Sequence, residues 1–395
     1  MKKKLGFLFL YCFLLFFSSK VYSDEGGVLR IGVALGFSGP IEEIVAEMYD
    51  VLEVVRLEAE ETNYFKKIEF VKIDTKCEKS NFKTINNKIN EKKLIGIIGA
   101  ACPGITEIIV LNNQTKNEIP IISPSASSNK LTVIDENNLF FRTTPPNRRD
   151  AEVLADITRD KGIKSIAITF LNNEYGRGLE KNYMQALRKN SIEITTSVSH
   201  QKDKEDHSNE VAILAAGGGD AVAVLGELNT GTKNIIKSIL DSGSFNRFIF
   251  SDRLMKEELL EVFGNEVNGS YGQVSGSTGQ NFNRFIEIAK DKKINSESPF
   301  VGETYDAISI LLLALQENEF NKEKKITDSL FEISNTPGTK VYAGELKKGF
   351  DLLKKGKRIN YEGATNIELD LNGETLGTFI EKEIRKGKIK SKKQR

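Results

Sequence analysis

Strand-like and helix-like segments alternate along most of the chain. Short apolar runs rich in branched residues, typical of buried strands, are followed by longer segments whose apolar residues recur at helical spacing. Residues 94–100 are apolar throughout, as in strands that a parallel sheet buries on both faces. The pattern therefore predicts an α/β fold built on parallel sheets. Its first part places strands at residues 28–35, 67–74, 94–100 and 119–123, and helices at 40–61, 82–92 and 105–116.

The alternation is interrupted at residues 139–146, whose sequence LFFRTTPP combines an extended run with two prolines, as in a linker. Two similar halves joined by such a segment predict two doubly wound parallel-sheet lobes with a cleft between them. A length of 395 residues agrees with two domains. After the linker, strands are predicted at 164–171, 192–199, 221–225 and 248–251, and helices at 176–189, 206–216 and 232–242.

Each lobe is expected to contain two separate parts of the chain. We expect the first lobe at residues 24–142 plus about 275–340, and the second at residues 143–274 plus about 341–385. Residues 386–395 are rich in lysine and arginine, and we expect them to form a solvated basic tail.

The N-terminus has the order of charged and apolar residues that is typical of a secretory signal peptide. A lysine cluster at residues 2–4 precedes an uncharged apolar segment, residues 5–17, and small residues follow before Asp24. We therefore expect cleavage after Ser23 and export to the periplasm, with an uncleaved N-terminal anchor as the alternative. Four of the 56 basic residues precede Asp24, so the mature chain would be slightly acidic, which argues against a nucleic-acid partner.

Two cysteines, Cys77 and Cys102, remain once residues 1–23 are removed. An even number of cysteines in an exported chain favours a disulfide. The alternative is a reactive thiol, which needs a nearby base, and the chain contains only His200 and His207. We expect both histidines on the surface and both cysteines in a bridge.

Polar residues follow several predicted strands in both halves. In open α/β sheets, ligands bind outside the carboxyl ends of the strands. Ser127, after the fourth strand, offers a hydroxyl and an N–H to a carboxylate, and Asp252 offers an anion to an ammonium group. The alternatives are a plain turn for the serines and a helix N-cap for Asp252. Four such segments should converge on one cleft: 100–106, 123–128, 225–229 and 251–252.

Catalytic and metal-binding motifs have little support in the sequence. It contains no Gly-x-Ser-x-Gly nucleophile elbow, and in residues 226–233 Thr232 separates glycine from lysine where a phosphate-binding loop requires them to be adjacent. Cysteines, histidines and carboxylates do not recur at metal-ligand spacing. We expect a protein that binds a ligand without enzymatic activity, metal or cofactor.

Several short motifs, taken in order, resemble type I periplasmic substrate-binding proteins of ABC importers, of the leucine/isoleucine/valine-binding class. Residues 31–40 (IGVALGFSGP) resemble the opening strand and turn of that family, and residues 121–127 (IISPSAS) resemble its ligand loop. The resemblance covers nearly all of the mature chain. Further matching segments are 141–145 (FRTTP), 175–178 (YGRG), 303–307 (ETYDA), 360–364 (NYEGA) and the return at 366–373.

The resemblance implies roles for individual residues. Ser125, through its backbone, and Ser127, through its hydroxyl and N–H, match the loop that binds the α-amino and α-carboxylate groups of an amino acid. Asp252 matches the acidic residue that pairs with the ammonium, and Tyr175 matches a tyrosine that packs over the ligand. Cys77 and Cys102 fall where some members carry a disulfide, and Glu227 lies close to a position where a cleft aromatic is usual.

The sequence also departs from the family pattern. Pro103 stands where leucine-type members have a serine that grips the carboxylate, and proline has neither a hydroxyl nor an N–H. Gly104 and Thr106 are the nearest replacement donors. Ile44 occupies a position where a cleft aromatic is common, and Glu227 is unusually acidic. A branched-chain amino acid, another polar amino acid, an amide and a polyamine-like cation all remain open as ligands.

The family implies a monomer that captures its solute by hinge closure and delivers it to the permease subunits of an ABC importer in the membrane. A ligand-sensing module that signals to a receptor or regulator is the alternative, since the same fold serves that role.

Overall fold

The structure is a computed structural model that describes residues 27–39, 41–116, 119–135, 137–276, 280–296 and 298–395. The predicted signal peptide, residues 1–23, lies outside them. The strands are β1 (Val28–Leu35), β2 (Lys67–Asp74), β3 (Gly96–Gly99), β4 (Ile121–Ser123), β5 (Phe140–Arg142), β6 (Ser165–Leu171), β7 (Glu193–His200), β8 (Ala221–Leu225), β9 (Phe248–Phe250), β10 (Tyr271–Ser275), β11 (Thr339–Tyr342), β12 (Ile359–Gly363), β13 (Phe379–Ile384) and β14 (Ile389–Gln394).

Helices lie between most of these strands. They are α1 (Glu42–Glu61), α2 (Phe82–Glu91), α3 (Pro103–Lys116), α4 (Leu131–Ile134), α5 (Asn147–Asp160), α6 (Glu174–Lys189), α7 (Ser208–Gly217), α8 (Thr230–Ser242), α9 (Glu257–Phe263), α10 (Gln280–Asp291), α11 (Val301–Phe320), α12 (Ile326–Ile333) and α13 (Leu346–Lys354). In the part of the chain that the structure describes, no helix is both long and apolar enough to cross a membrane.

Two sheets organise the molecule, one in each lobe. The first has the strand order β2-β1-β3-β4-β5, and all its strands are parallel. The second has the order β14-β13-β10-β9-β8-β6-β7, in which β6 to β10 are parallel and β13 and β14 run antiparallel. The predicted α/β fold of two doubly wound lobes is therefore confirmed. Because the chain order reverses beside the first strand of each sheet, both C-terminal edges contain a switch point where ligands bind.

The last part of the chain departs from the expected lobe boundaries. Apolar residues of β11, α13 and β12 pack into the core of the first lobe, together with α1 and α11, although we expected residues 341–385 in the second lobe. Helix α13 has a strongly apolar face through Leu346, Phe350 and Leu353, and this face packs into the first-lobe core. After β12, the chain returns to the second sheet at β13.

The expectation that residues 386–395 form a solvated tail is also wrong. Residues 389–394 form β14, which pairs with β13 through the backbone at the edge of the second sheet. Arg395 binds Glu381 on β13 at 2.5 Å and Asp160 at 2.9 Å, so its charge holds the chain end in place. Apart from Ile389, the side chains of β14 are polar and exposed. The sequence of such an edge strand lacks the alternation of apolar and polar residues that predicts a strand.

A buried ion pair lies where the chain first crosses between the lobes. Arg142, the last residue of β5, is fully buried and pairs with Glu374, which is 1% exposed. Arg148, in the first turn of α5, reaches the same carboxylate from the start of the second lobe. Thr132 Oγ1 donates to Glu374 Oε1 at 2.6 Å. We call Arg142, Arg148, Thr132 and Glu374 the hinge cluster.

The two histidines are fully buried, whereas we expected them on the surface. His200 ends β7 between two other elements, with Nδ1 2.9 Å from Thr169 Oγ1 and Nε2 3.1 Å from Thr232 Oγ1. The sequence did not indicate this burial, because the residues around both histidines are mostly polar. Burial, assisted by the neighbouring His207, lowers the pKa of His200 to about 4.

This burial predicts a loss of stability in mild acid. The unfolded histidine binds a proton near pH 6.5, whereas the folded one stays neutral down to about pH 4. Stability is therefore fully present above pH 6.5 and is lost as the pH falls toward 4, with about 2 kcal/mol gone at pH 5. Urea unfolding at neutral pH and at about pH 5 should give His200→Gln a pH effect smaller by that amount. Equal pH effects in the two proteins would contradict the assignment.

Candidate ligand-binding site

Two of the four clustered serines hold the loop after β4 in place. Ser123 Oγ donates to the Ala100 carbonyl at 2.7 Å and accepts from the Ala126 N–H at 3.0 Å. Ser125 Oγ donates to the Ala101 carbonyl at 3.1 Å. These bonds join the loop after β4 to the loop after β3, so the Ser125 hydroxyl supports the loop and leaves only its backbone for a ligand.

Ser127 is the serine whose hydroxyl remains available. Its carbonyl accepts from the Asn147 N–H at 2.8 Å, at the start of α5, whereas its hydroxyl has no partner among the described residues. The buried Arg142 fixes the backbone on either side of Ser127, because its guanidinium donates to the carbonyls of Ala126 and Ser128 at 3.1 and 2.9 Å. We call residues 123–128 the serine loop.

The other first-lobe candidates surround the start of α3. Cys77 and Cys102 form the expected disulfide, with a Cα–Cα distance of 5.5 Å. Thr106 is fully buried, and its hydroxyl donates to the carbonyls of Ala100 and Cys102 at 3.1 and 2.9 Å. Its hydroxyl hydrogen is thus already used within the fold, so Thr106 is not a free replacement for the donor that Pro103 lacks.

Lys79 is a first-lobe residue that the sequence did not point to. A Cβ placed on Gly104 would lie 2.9 Å from Lys79 Cε, so the lysine chain crosses directly over the first turn of α3. Its ammonium has no anionic partner among the described residues, and it lies beside the position of Pro103. Ile44, in the first turn of α1, is half-buried and packs against the first-lobe core.

In the second lobe, the candidate residues Tyr175 and Asp252 form a hydrogen-bonded pair. Tyr175 Oη donates to Asp252 Oδ1 at 2.5 Å, and burial together with the Asp252 charge raises the pKa of Tyr175. Asp252 begins a short 3₁₀ turn after β9, while the N-cap of α9 is Lys256, so Asp252 does not cap that helix. Ser251 Oγ donates to the Gly226 carbonyl at 2.8 Å and thereby fixes the strand end that carries Asp252.

Local sequence explains how Tyr175 is held. Asn173 caps α6 by accepting from the Gly176 N–H at 2.8 Å. A Cβ on Gly176 would lie 2.1 Å from the Leu171 carbonyl oxygen, so only glycine allows the helix to approach β6 this closely. This contact accounts for the glycine in the YGRG motif.

Glu227 belongs to an ion pair beside Tyr175. Arg253 Nη1 lies 3.3 Å from Glu227 Oε2, with both side chains about half exposed. The Arg253 guanidinium also stacks over the Tyr175 ring, with Cζ 3.8 Å from the ring centroid. A charged pair therefore covers the aromatic face that an apolar ligand side chain would need.

Two second-lobe residues next to this pair escaped the sequence analysis. Gln273 on β10 is 1% exposed, and its Nε2 donates to Asp150 Oδ1 at 3.3 Å. Burial, followed by the charge of Asp252, raises the pKa of Asp150 to about 7. Asp150 had no distinct signal, since an acidic residue in the first turn of a helix is ordinary.

A hydrogen bond joins the segment after the serine loop to α6 of the second lobe. Asn129, directly after the serine loop, donates from Nδ2 to Asn182 Oδ1 on α6 at 3.2 Å, and α6 begins beside Tyr175. Among the described residues, no cluster of histidine, cysteine and carboxylate side chains has the arrangement of a metal site. A separate groove of about 900 Å³ lies in the first lobe beside α12 and contains none of the candidate residues.

Comparisons with known proteins identify the family of the chain. Residues 52–379 match the family model described as the receptor family ligand binding region. The chain belongs to this family. Its fold is that of type I periplasmic binding proteins of the Leu/Ile/Val class, which confirms the resemblance inferred from the motifs.

The relatives that the chain resembles are distant in sequence. The chain is 21% identical over 282 residues to the chemotactic signal transduction system substrate-binding protein BasB of Halobacterium salinarum, an alignment that covers 70% of this chain and 66% of that protein. It is 22% identical over 319 residues to the Leu/Ile/Val-binding protein of Citrobacter freundii, covering 78% and 84% of the two chains. The isoleucine complex of the substrate-binding protein LivJ from Streptococcus pneumoniae has a TM-score of 0.61 at 19% identity, covering 92% and 98%.

Proposed function

We propose that the protein captures an amino acid outside the cytoplasm and delivers it to an ABC importer. The observation that carries this proposal is the Tyr175–Asp252 pair, a carboxylate held at a strand end of the second lobe by a tyrosine of α6, the helix that also bonds Asn129 next to the serine loop. Support comes also from relatives that are named as substrate-binding proteins of Leu/Ile/Val type.

The two lobes hold opposite ends of the amino acid. In the first lobe, the Ser127 hydroxyl and N–H bind the α-carboxylate, and the Lys79 ammonium supplies the interaction that Pro103 has removed. In the second lobe, Asp252 pairs with the α-ammonium, and Tyr175 both positions that carboxylate and contacts the ligand. Because neither lobe alone satisfies both charged groups, affinity requires both lobes.

Binding works by hinge closure without chemistry on the ligand. The ligand touches both lobes only in the closed form, so it shifts the population toward that form by its differential affinity.

The proposed partners are the permease subunits of an ABC importer. The proposed location is the periplasm, reached through cleavage of the predicted signal peptide, and the proposed state is a monomer.

Asp252→Asn tests the second-lobe contact. The substitution keeps the shape of the side chain and its acceptor for Tyr175, but it removes the charge that neutralises the ammonium. We expect affinity for the amino acid to fall by on the order of 2 kcal/mol, roughly thirtyfold. Thermal-shift screening against the common amino acids identifies the ligand, and isothermal titration calorimetry then measures the loss.

Glu257→Gln, at an exposed position in the first turn of α9, is the matched control and should bind normally. Small-angle scattering should show wild-type protein contracting on addition of ligand, as expected for closure of two lobes. An Asp252→Asn protein that binds as tightly as wild type would overturn the assignment of Asp252.

Sensing is the second candidate function, favoured by the likeness to a chemotactic substrate-binding protein. Both functions share the same site and closure, so binding data do not separate them. Uptake of the labelled ligand by cells that lack the protein does separate them. Reduced uptake supports delivery to an importer, whereas normal uptake with a lost behavioural response supports sensing.

A further inference from the structure

Three acceptor groups gather beside Tyr175 in the second lobe. Asp150, at the start of α5, accepts from the Gln273 amide, and Asp252 accepts from the Tyr175 hydroxyl. Strand β10 packs against both α5, which carries Asp150, and the turn that begins at Asp252. Burial, followed by the charge of Asp252, raises the pKa of Asp150 to about 7. We call Asp150, Asp252 and Gln273 the acceptor cluster.

The Gln273 side chain points to a ligand with N–H groups. It is 99% buried, and its Nε2 is engaged with Asp150, yet its Oε1 has no hydrogen-bond partner within the described part of the chain. A buried amide oxygen without a partner is unfavourable. A donor from a bound ligand, placed next to Asp150, would satisfy this oxygen.

The charges around the acceptor cluster are not balanced by the protein itself. Arg253 is the nearby cation, but its guanidinium is already paired with Glu227 at 3.3 Å and stacked over Tyr175. Two carboxylates, Asp150 and Asp252, therefore share one side of the cleft without a dedicated cation. The α-ammonium of a neutral amino acid would balance one of them and leave the other without a counter-charge beside Gln273.

We propose that the acceptor cluster binds two cationic nitrogens and that the ligand is a dibasic amino acid. The inference rests on the proposed function, in which Asp252 takes the α-ammonium and the first lobe takes the α-carboxylate. The side-chain ammonium lies against Asp150 and the Oε1 of Gln273. A primary ammonium carries three N–H donors, so one such group serves the carboxylate and the amide oxygen together. Asp150 is then a specificity-determining residue.

A matched pair of ligands tests this inference. Lysine and norleucine have the same carbon chain, and only lysine carries the second ammonium. Calorimetry at about pH 8, where Asp150 is ionised, should show lysine binding about tenfold or more tightly than norleucine. Asp150→Asn should abolish most of this preference by weakening lysine alone. Asp156→Asn, on the same helix but paired with Arg159, is the control and should leave the preference unchanged.

A second measurement separates binding from folding. Asparagine retains an acceptor for Gln273 but no buried charge, so ligand-free Asp150→Asn should melt at or above the wild-type temperature. A lower melting temperature with an unchanged preference for lysine would show that Asp150 stabilises the fold and does not select the ligand, and would overturn the inference. Norleucine binding as tightly as lysine to wild type would also overturn it while leaving the proposed function intact. Failure of every amino acid to bind would overturn both.

Discussion

Glu374→Ala is expected to lower the free energy of unfolding by about 3–5 kcal/mol. The substitution leaves the Arg142 guanidinium fully buried without its anion. Burial alone would raise the pKa of Glu374, but the charges of Arg142 and Arg148 outweigh it and hold that pKa below its usual value. The carboxylate is therefore ionised in the folded protein, and its removal breaks a pair inside the hinge cluster.

The loss should extend to the ligand site. Arg142 also donates to the carbonyls of Ala126 and Ser128, on either side of Ser127. An arginine that turns toward water after losing Glu374 would release the serine loop. We therefore expect weaker ligand binding in Glu374→Ala, in addition to its lower stability.

Urea unfolding of a variant series measures the effect. Glu374→Gln should lie between wild type and Glu374→Ala, since its amide oxygen keeps one acceptor, whereas its amide nitrogen cannot accept from an arginine and the charge is lost. The double variant Arg142→Leu/Glu374→Leu should recover part of the loss, because no unpaired charge remains. Asp241→Ala breaks the exposed Lys237–Asp241 pair and should cost less than about 1 kcal/mol. A Glu374→Ala protein as stable as Asp241→Ala would contradict the expectation.

Much of the fold was predictable because parallel strands buried on both faces leave long apolar runs. Strands β1, β2 and β8 begin and end where the sequence pattern placed them. Edge strand β14 has polar side chains and pairs through its backbone, so the pattern could not show it. Helix α13 was recognisable as amphipathic, but its sequence does not state which lobe its apolar face meets.

The site was predictable as far as topology concentrates residues at strand ends. That rule pointed to the serine loop and to Asp252, and the Tyr175–Asp252 bond joins two predicted residues. It could not identify Asp150, which belongs to a helix entering from the hinge, or Gln273, which lies within a strand. Their proximity to Asp252 arises from the packing of α5 against β10, and no local sequence pattern encodes such a contact.

A second buried carboxylate stabilises the first lobe alone. Asp306 on α11 is fully buried and accepts four hydrogen bonds from residues 361–365. These come from the Tyr361 hydroxyl at 2.9 Å, the Ala364 N–H at 2.7 Å, and the Thr365 N–H and hydroxyl at 2.8 and 2.6 Å. Gly363 permits this approach, since a Cβ there would lie 2.0 Å from Asp306 Oδ1 and its φ is +55°.

Asp306→Ala is therefore expected to lower the free energy of unfolding by about 4 kcal/mol, because it leaves buried donors without an acceptor. Thr365→Val removes one of the four bonds and keeps the others, so it should cost only about 1 kcal/mol. Both are measured by urea unfolding with circular dichroism. Since residues 361–365 pack against α11 rather than line the acceptor cluster, each folded variant should bind ligand with wild-type affinity. If Asp306→Ala costs no more than Thr365→Val, the four bonds do not act together to hold residues 361–365 against α11.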